Sequence, residues 1–397
     1  MTMMILEGRF LYKGKIVEGC IVIENGKIID IRKSANKTVK VDGIILPAGI
    51  DAHVHFRDFK EKYKETIETG SLSALYGGIC LVVDQPNTNP PIVDVETYLK
   101  RMELAKKTTY VDYSLNLGLI EDNKHKIREI IENIEEKYII PAIGEVFLDH
   151  EKLQVCYETL RSVREKINKL ITVHAEDPEL AGKKEGEIKA VEECLKFGDF
   201  YFCHISTPEA LMIIANSNSF VEVTPHHILL TYNDTDFKVN PPLRANKDRM
   251  NLFKNIYKVD VIASDHAPHT IEDKKNGAPG FPGVETMYPL MLGLVKRRLI
   301  DLVTIVEKIA INPARIFGFK GYGEIERGNY ANFAIFDFSN VEKIKADKLH
   351  SKAGWTPYEN FEAIFPKTVY IRGRKVLEDC EVLVDKGFGL IFTKDAL

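Results

Sequence analysis

The chain has 397 residues, 45% of them hydrophobic and 28% charged, with a formal net charge of −4. This is an ordinary folding composition, long enough for one large domain and a satellite. The slight acidity excludes the basic stripe of a nucleic-acid binder, and no run of eighteen apolar residues exists to span a membrane.

The opening "MTMMILEGRF" lacks a signal-peptide layout. Cys20, Cys80, Cys156, Cys194, Cys203 and Cys380 are scattered and form no CxxC pair. Both features fit reduced thiols and a cytoplasmic location. Glutamine is scarce, while Lys, Glu and Ile abound, which leans toward a heat-tolerant source.

Residues 1–46 read as short alternating strands, with "ENGK" as a hairpin turn. From 47 to 320 apolar strand runs alternate with helical runs. Eight strands are expected: Ile44–Ile50, Ile79–Asp84, Tyr110–Leu115, Ile140–Phe147, Ile171–His174, Tyr201–His204, Phe220–Thr224 and Val261–Ser264. Helical segments such as "EDNKHKIREIIENIEEK" and "TPEALMIIANSNS" fall between them. Eight such repeats predict an α/β fold, a TIM (β/α)8 barrel, with a doubly wound sheet as the rival. Residues 321–397 return to strands, including "GEIERGNYANFAIFDF" and "KTVYIRGRKVLE". Neither end has enough strands to be stable alone, so the two are expected to form one small composite β-sandwich.

In such a barrel the chemistry lies at the C-terminal ends of the strands. There the sequence places His53, His55 and Arg57 after strand 1, Asn87 after strand 2 and Glu145 on strand 4. His174, His204 and Asp265 end strands 5, 6 and 8. Alternate residues on a strand point the same way, so two imidazoles about 7 Å apart along the backbone can converge on one ion. Four histidines and an aspartate exceed what one tetrahedral catalytic zinc uses while keeping an open position. They suit two metals, which need a bridging anion, and Glu145 is placed to supply it. His226 and His227 read as structural or as supports behind the ligands, and His125, His150 and His350 as solvated or structural. Cys203 is expected to point away from the site and pack inside the barrel.

Taken together, "DAHVHFRD", "QPNTNP", "VHAED", "CHIST", "EVTPHH", "NPPLR" and "SDHAPH" resemble the amidohydrolase superfamily, and within it the type I dihydroorotases. HxH alone marks only the superfamily; the arginine two residues on, with "PNT" and "NPPLR", narrows the match. The resemblance implies reversible cyclisation of N-carbamoyl-L-aspartate to L-dihydroorotate, a step of pyrimidine synthesis. It implies two zinc ions per subunit, one held by His53, His55 and Asp265, the other by His174 and His204. It gives Arg57, Asn87 and His269 the substrate α-carboxylate, Asn240 the ring, and Asp265 the moving proton. The strand-4 site of relatives is commonly a carboxylated lysine or an aspartate. Here "GEVF" offers Glu145, and Lys137 lies at the wrong end of the strand, so a direct glutamate bridge is expected.

Two rivals stand beside this reading. One is an allantoinase or hydantoinase, whose substrates carry no α-carboxylate for Arg57. The other is a non-enzymatic scaffold for aspartate transcarbamoylase, against which the full ligand set speaks. Association with that enzyme, and a monomeric or dimeric state, stay open. So does the role of "HTIEDKKNGAPGFPGVET", either a mobile cover or a rigid connection.

Overall fold

The computed structural model describes residues 3–150 and 152–394. Its N-terminal strands β1 (Met3–Tyr12), β2 (Lys15–Glu24) and β3 (Lys27–Arg32) form an antiparallel meander. Both hairpin turns, Lys13-Gly14 and Asn25-Gly26, have positive φ at both central residues. That geometry matches the right-handed twist of the flanking strands. β4 (Val39–Pro47) returns parallel to β1.

The next eight strands are parallel. They are β5 (Gly49–Val54), β6 (Ile79–Asp84), β7 (Asp112–Leu115), β8 (Ile143–Phe147), β9 (Ile171–His174), β10 (Tyr201–Phe202), β11 (Phe220–Val223) and β12 (Val261–Ile262). The seam between β7 and β8 closes through Leu117 and Ile143, with Gly144 N–H donating to the Leu117 carbonyl at 2.9 Å. The other seam closes where His55 N–H meets the His266 carbonyl at 2.8 Å. The result is the expected eight-stranded barrel. Its strands are almost wholly buried, because helices cover the outside and side chains fill the inside.

One boundary differs from expectation. The run "GIILPAGI" is two strands, not one. Ile44, Ile45, Leu46 and Pro47 pair in β4 with a C-terminal strand, and the barrel strand starts at Gly49 and carries on through His53. Both halves are buried, so hydrophobicity alone does not mark the corner. The helical expectation over 121–137 contracts to Ile127–Ile134, which buries Ile127, Ile130, Ile131 and Ile134 at one-face spacing. The helix Pro208–Ile214 starts where the Thr207 hydroxyl accepts the Ala210 N–H.

After the barrel come β13 (Phe333–Phe336), β14 (Glu342–Lys343), β15 (Glu362–Ala363), β16 (Pro366–Ile371), β17 (Arg374–Glu378) and β18 (Glu381–Val382). The composite sandwich is one continuous sheet in the order β18-β17-β16-β13-β4-β1-β2-β3. It curls until the β2–β3 turn meets the β16–β17 turn. Ala331 N–H donates to the Gly26 carbonyl at 2.8 Å, and Gly373 N–H to the Ala331 carbonyl at 2.9 Å. Leu6, Phe10, Ile21, Ile45, Phe333 and Tyr370 fill the space enclosed.

Two C-terminal stretches leave that sheet and serve the barrel. The excursion between β14 and β15 lies over the barrel mouth, where Trp355 Nε1–H donates to the His269 carbonyl at 2.8 Å. The tail lies against β7, where Tyr113 N–H donates to the Leu390 carbonyl at 2.9 Å and Leu390 N–H to Asp112 Oδ1 at 2.7 Å. Arg372, at the tip of the β16–β17 turn, ion-pairs with the same Asp112. Among the described residues no helix is long and apolar enough to cross a membrane.

Candidate metal centre and its cleft

The barrel brings six predicted donors to one spot. His53 lies on β5 with His55 just beyond it, Glu145 on β8 and His174 at the end of β9. His204 and Asp265 lie just past β10 and β12. His53 Nε2 is 3.2 Å from His55 Nε2, and Asp265 Oδ1 is 3.1 Å from His55 Nε2 and 3.7 Å from His53 Nε2. On the other side His174 Nδ1 is 3.1 Å from His204 Nε2.

Glu145 stands between the two groups. Its Oε1 is 2.7 Å from His204 Nε2 and 3.2 Å from His174 Nδ1. Its Oε2 is 3.4 Å from His53 Nε2 and 3.9 Å from His55 Nε2. Gly144 makes this reach feasible: at φ +127° it packs so tightly on Thr172 that a Cβ would collide with it. Lys137 lies elsewhere, exposed and paired with Glu103 at 3.1 Å.

The donor set fits metal. Ligand atoms around a zinc at 2.0–2.1 Å sit about 3.3 Å apart in a tetrahedron. The imidazole nitrogens point lone pairs at one another and at carboxylates, an arrangement that calls for cations between them. The local electrostatics agree. Burial alone would raise the Glu145 carboxyl, yet the His53 charge and bonds from His174 and His204 hold it well below its ordinary range. Asp265 is likewise held down, against burial, by a bond from His55 and the charge of His53. Burial would lower His53, but Glu222 and Glu145 raise it well above 6.5. The carboxylates favour positive partners, which a divalent cation supplies without protons.

The outward nitrogens are held by partners that sequence reasoning missed. His53 Nδ1 lies 3.0 Å from Glu222 Oε1, and Glu222 also accepts the Tyr201 hydroxyl at 2.6 Å and His204 N–H at 2.9 Å. His174 Nε2 lies 3.1 Å from Glu176 Oε2. Such contacts fix ring orientation and tautomer. The available signals were a lone carboxylate in the apolar "FVEV" and a glutamate two residues after His174. Cys203 packs in the barrel core as expected, but it does not point away from the site. Its sulfur falls within 4.8 Å of donor atoms of His53 and Glu222, because β10 ends at Phe202 and His204 takes a φ of 35°, which breaks the alternation. Burial, reinforced by Glu222, keeps its thiol protonated. His226 and His227 are buried; His227 bonds Thr224 at 2.9 Å and the Pro241 carbonyl at 2.9 Å, which is a structural use.

A cleft of about 480 Å³ opens beside the cluster and includes Arg57, Asn87, Asn240 and His269 among its walls. Arg57 Nη2 lies 3.2 Å from His269 Nε2. Burial, then the charges of Arg57, Lys64 and Lys274, push the His269 imidazole down to about 2, so it is neutral. With Nε2 accepting from Arg57, its Nδ1 carries the hydrogen and has no hydrogen-bond partner among the described residues. Asn87 also braces the cluster, with its Oδ1 2.6 Å from His55 Nδ1. Arg57, Asp58 and Phe59 all take positive φ, an unfavourable run for non-glycine residues. Buried Arg101 holds it: Nη1 donates to the Arg57 carbonyl at 2.9 Å while Nη2 pairs with Asp84 at 2.5 Å. Asp84 in turn accepts Phe56 N–H at 3.0 Å.

Fold and site together define an eight-stranded α/β barrel whose C-terminal mouth carries an imidazole–carboxylate cluster of the kind that could hold metal. The sequence pattern of the Amidohydrolase family matches residues 44–376. The chain belongs to that family. It is 56% identical over 391 residues to a dihydroorotase of Archaeoglobus fulgidus, covering 94% of this chain and 97% of the relative. It is 42% identical to a dihydroorotase of Pyrococcus furiosus, covering 96% and 94%. The L-hydantoinase (dihydropyrimidinase) from Arthrobacter aurescens superimposes with a TM-score of 0.91 at 24% identity, covering 98% of this chain and 99% of that one. The D-hydantoinase (dihydropyrimidinase) from Thermus sp. gives 0.86 at 22% identity, covering 98% and 99%. These structural likenesses concern the fold.

Proposed function

We propose that the chain is a dihydroorotase, a metal-dependent cyclic amidohydrolase that interconverts L-dihydroorotate and N-carbamoyl-L-aspartate. The observation that carries this is Arg57 beside a neutral His269, in the same cleft as the metal-type cluster. The full-length identity to dihydroorotases supports it.

His53, His55 and Asp265 would hold one divalent cation and His174 and His204 a second, with Glu145 shared; the nitrogen-rich set favours zinc. Bound there, such cations lower the pKa of water toward 7 and polarise the carbonyl under attack. Arg57 meets the α-carboxylate with paired hydrogen bonds, and His269 Nδ1–H adds a donor from a neutral ring. Asn87 and Asn240 complete the walls around carboxylate and ring. Asp265 turns Oδ1 toward His55, which leaves Oδ2 for the proton. In ring opening Oδ2 accepts the proton of the attacking water. It delivers that proton to the ring nitrogen as the C–N bond breaks. In cyclisation the same oxygen removes a proton from the carbamoyl nitrogen.

Turnover of L-dihydroorotate, allantoin and 5-substituted hydantoins, with metal content measured on the same protein, tests the reading. Activity on dihydroorotate with bound zinc is the expected result. Activity confined to the other two substrates means a hydantoinase or allantoinase, and a protein that binds no metal means a scaffold.

A further inference from the structure

The cleft carries an ion pair that the chemistry above leaves unused. Glu61 and Lys64 both line it, alongside Arg57 and His269. Lys64 Nζ lies 2.6 Å from Glu61 Oε1, and the two side chains are only 12% and 19% exposed. Lys64 is one of the cations whose charge bears on His269, after burial and Arg57. Burial pulls the Arg57 guanidinium down, and Glu61 leads the charges that oppose it. The pair therefore shares the cleft with Arg57 and His269, the residues assigned to the carboxylate.

The turn that carries the pair is held firmly. Asp58 N–H donates to the Glu65 carbonyl at 3.1 Å, and Asp58 Oδ2 accepts Ile67 N–H at 2.6 Å. Lys60 N–H donates to the Asn89 carbonyl at 3.1 Å, and Lys352 Nζ reaches the Lys62 carbonyl. With the backbone fixed, what can change is which anion Lys64 pairs with. A cation this enclosed needs an anionic partner. Here Glu61 is that partner.

Resting on the dihydroorotase reading, we infer that Lys64 is a specificity residue for the α-carboxylate of the substrate, with Glu61 as the counter-ion it exchanges when substrate enters. Arg57, His269 and Lys64 then surround the carboxylate, and Glu61 lowers the affinity of the empty site for other small anions by competing for the same ammonium. The recognised group is the carboxylate on the ring. Lys64 therefore discriminates dihydroorotate from its decarboxylated analogue, dihydrouracil, and takes no part in ring opening.

The test compares the metal-loaded wild type with Lys64→Met, Lys64→Arg, Glu61→Gln and, as a control on the outer side of the same turn, Lys62→Met. Lys64→Met raises KM for dihydroorotate about tenfold with kcat changed less than about twofold, the signature of lost ground-state binding. Its inhibition constant for dihydrouracil stays at the wild-type value, which a collapsed cleft would not allow. Lys64→Arg restores most of the affinity, Glu61→Gln lowers KM by about threefold, and Lys62→Met leaves KM unchanged. An unchanged KM in Lys64→Met, an equal rise in Lys62→Met, or a parallel loss of dihydrouracil binding overturns the assignment. A wild-type protein inactive on dihydroorotate overturns the parent reading instead, and this one with it.

Discussion

Replacing Glu145 by alanine removes the one carboxylate that, among the described residues, faces both halves of the donor cluster. The structure sets the size of the effect. Glu145 approaches four imidazole nitrogens at 2.7, 3.2, 3.4 and 3.9 Å. Losing a partner one shell outside a metal typically costs 10–100-fold in affinity. Losing a ligand common to two positions should cost at least about 100-fold at each, or about 2.7 kcal/mol apiece. Glu145→Gln sharpens the measurement. Its amide offers one acceptor oxygen at nearly the same volume, so it can serve one side but not both. After dialysis against a weak chelator, emission spectroscopy should find about two zinc ions per chain in the wild type, one or fewer in Glu145→Gln and fewest in Glu145→Ala. Turnover of dihydroorotate should fall with the metal count. Two retained metals and a full rate in Glu145→Ala would show that the carboxylate is a bystander.

Three further outcomes follow from the geometry. Arg57→Met should raise KM for dihydroorotate at least tenfold while metal content stays unchanged, about 1.4 kcal/mol or more of lost binding, read by steady-state kinetics with metal analysis. Arg101→Met leaves Asp84 buried without its counter-ion, bonded only by Phe56 N–H and the Tyr113 hydroxyl, and frees the strained turn at Arg57–Phe59; denaturant unfolding should show a loss of about 3 kcal/mol. In metal-stripped protein the folded-state pKa values of His53 and His174 lie above 6.5, His53 through Glu222 and Glu145, His174 through Glu145 and Glu176, each against burial. Groups raised in this way stabilise fully below the unfolded value of about 6.5 and lose that contribution as pH rises through the folded values. The Tm gap between metal-loaded and stripped protein should therefore widen above pH ~6.5, and a constant gap from pH 6 to 8.5 would contradict it.

The barrel was legible because each apolar run met turn residues before a helical period began. What the sequence could not mark was the corner at Pro47, since the residues on both sides are buried and a single apolar run covers two sheets. The side chains that gather at the mouth were legible through position: His53 and His55 by alternation, and Glu145 by the anion that a two-metal reading of four histidines and an aspartate calls for. Their supports were not. Glu222 is one carboxylate in an apolar strand, and its partners come from β5 and from the residues at and after β10. Cys203 shows the limit of alternation, which fails where a strand is only two residues long. The mouth-covering excursion between β14 and β15 and the tail at Leu390 have no period at all; only tertiary contacts give them a place.

The curled sheet has a consequence for synthesis. β4 is bonded on one side to β1 and on the other to β13, so one of its edges stays open while residues 48–332 are made. At 5–20 residues per second that interval is on the order of 15–60 s. An unpaired strand edge is a template for the wrong partner; the stretch that β13 later covers, residues 44–47, is apolar, and the charges of Lys40 and Asp42 lie just before it. Strands β1–β4 are thus made before the barrel but completed only after it, and the emerging barrel is tethered throughout to a half-built sheet.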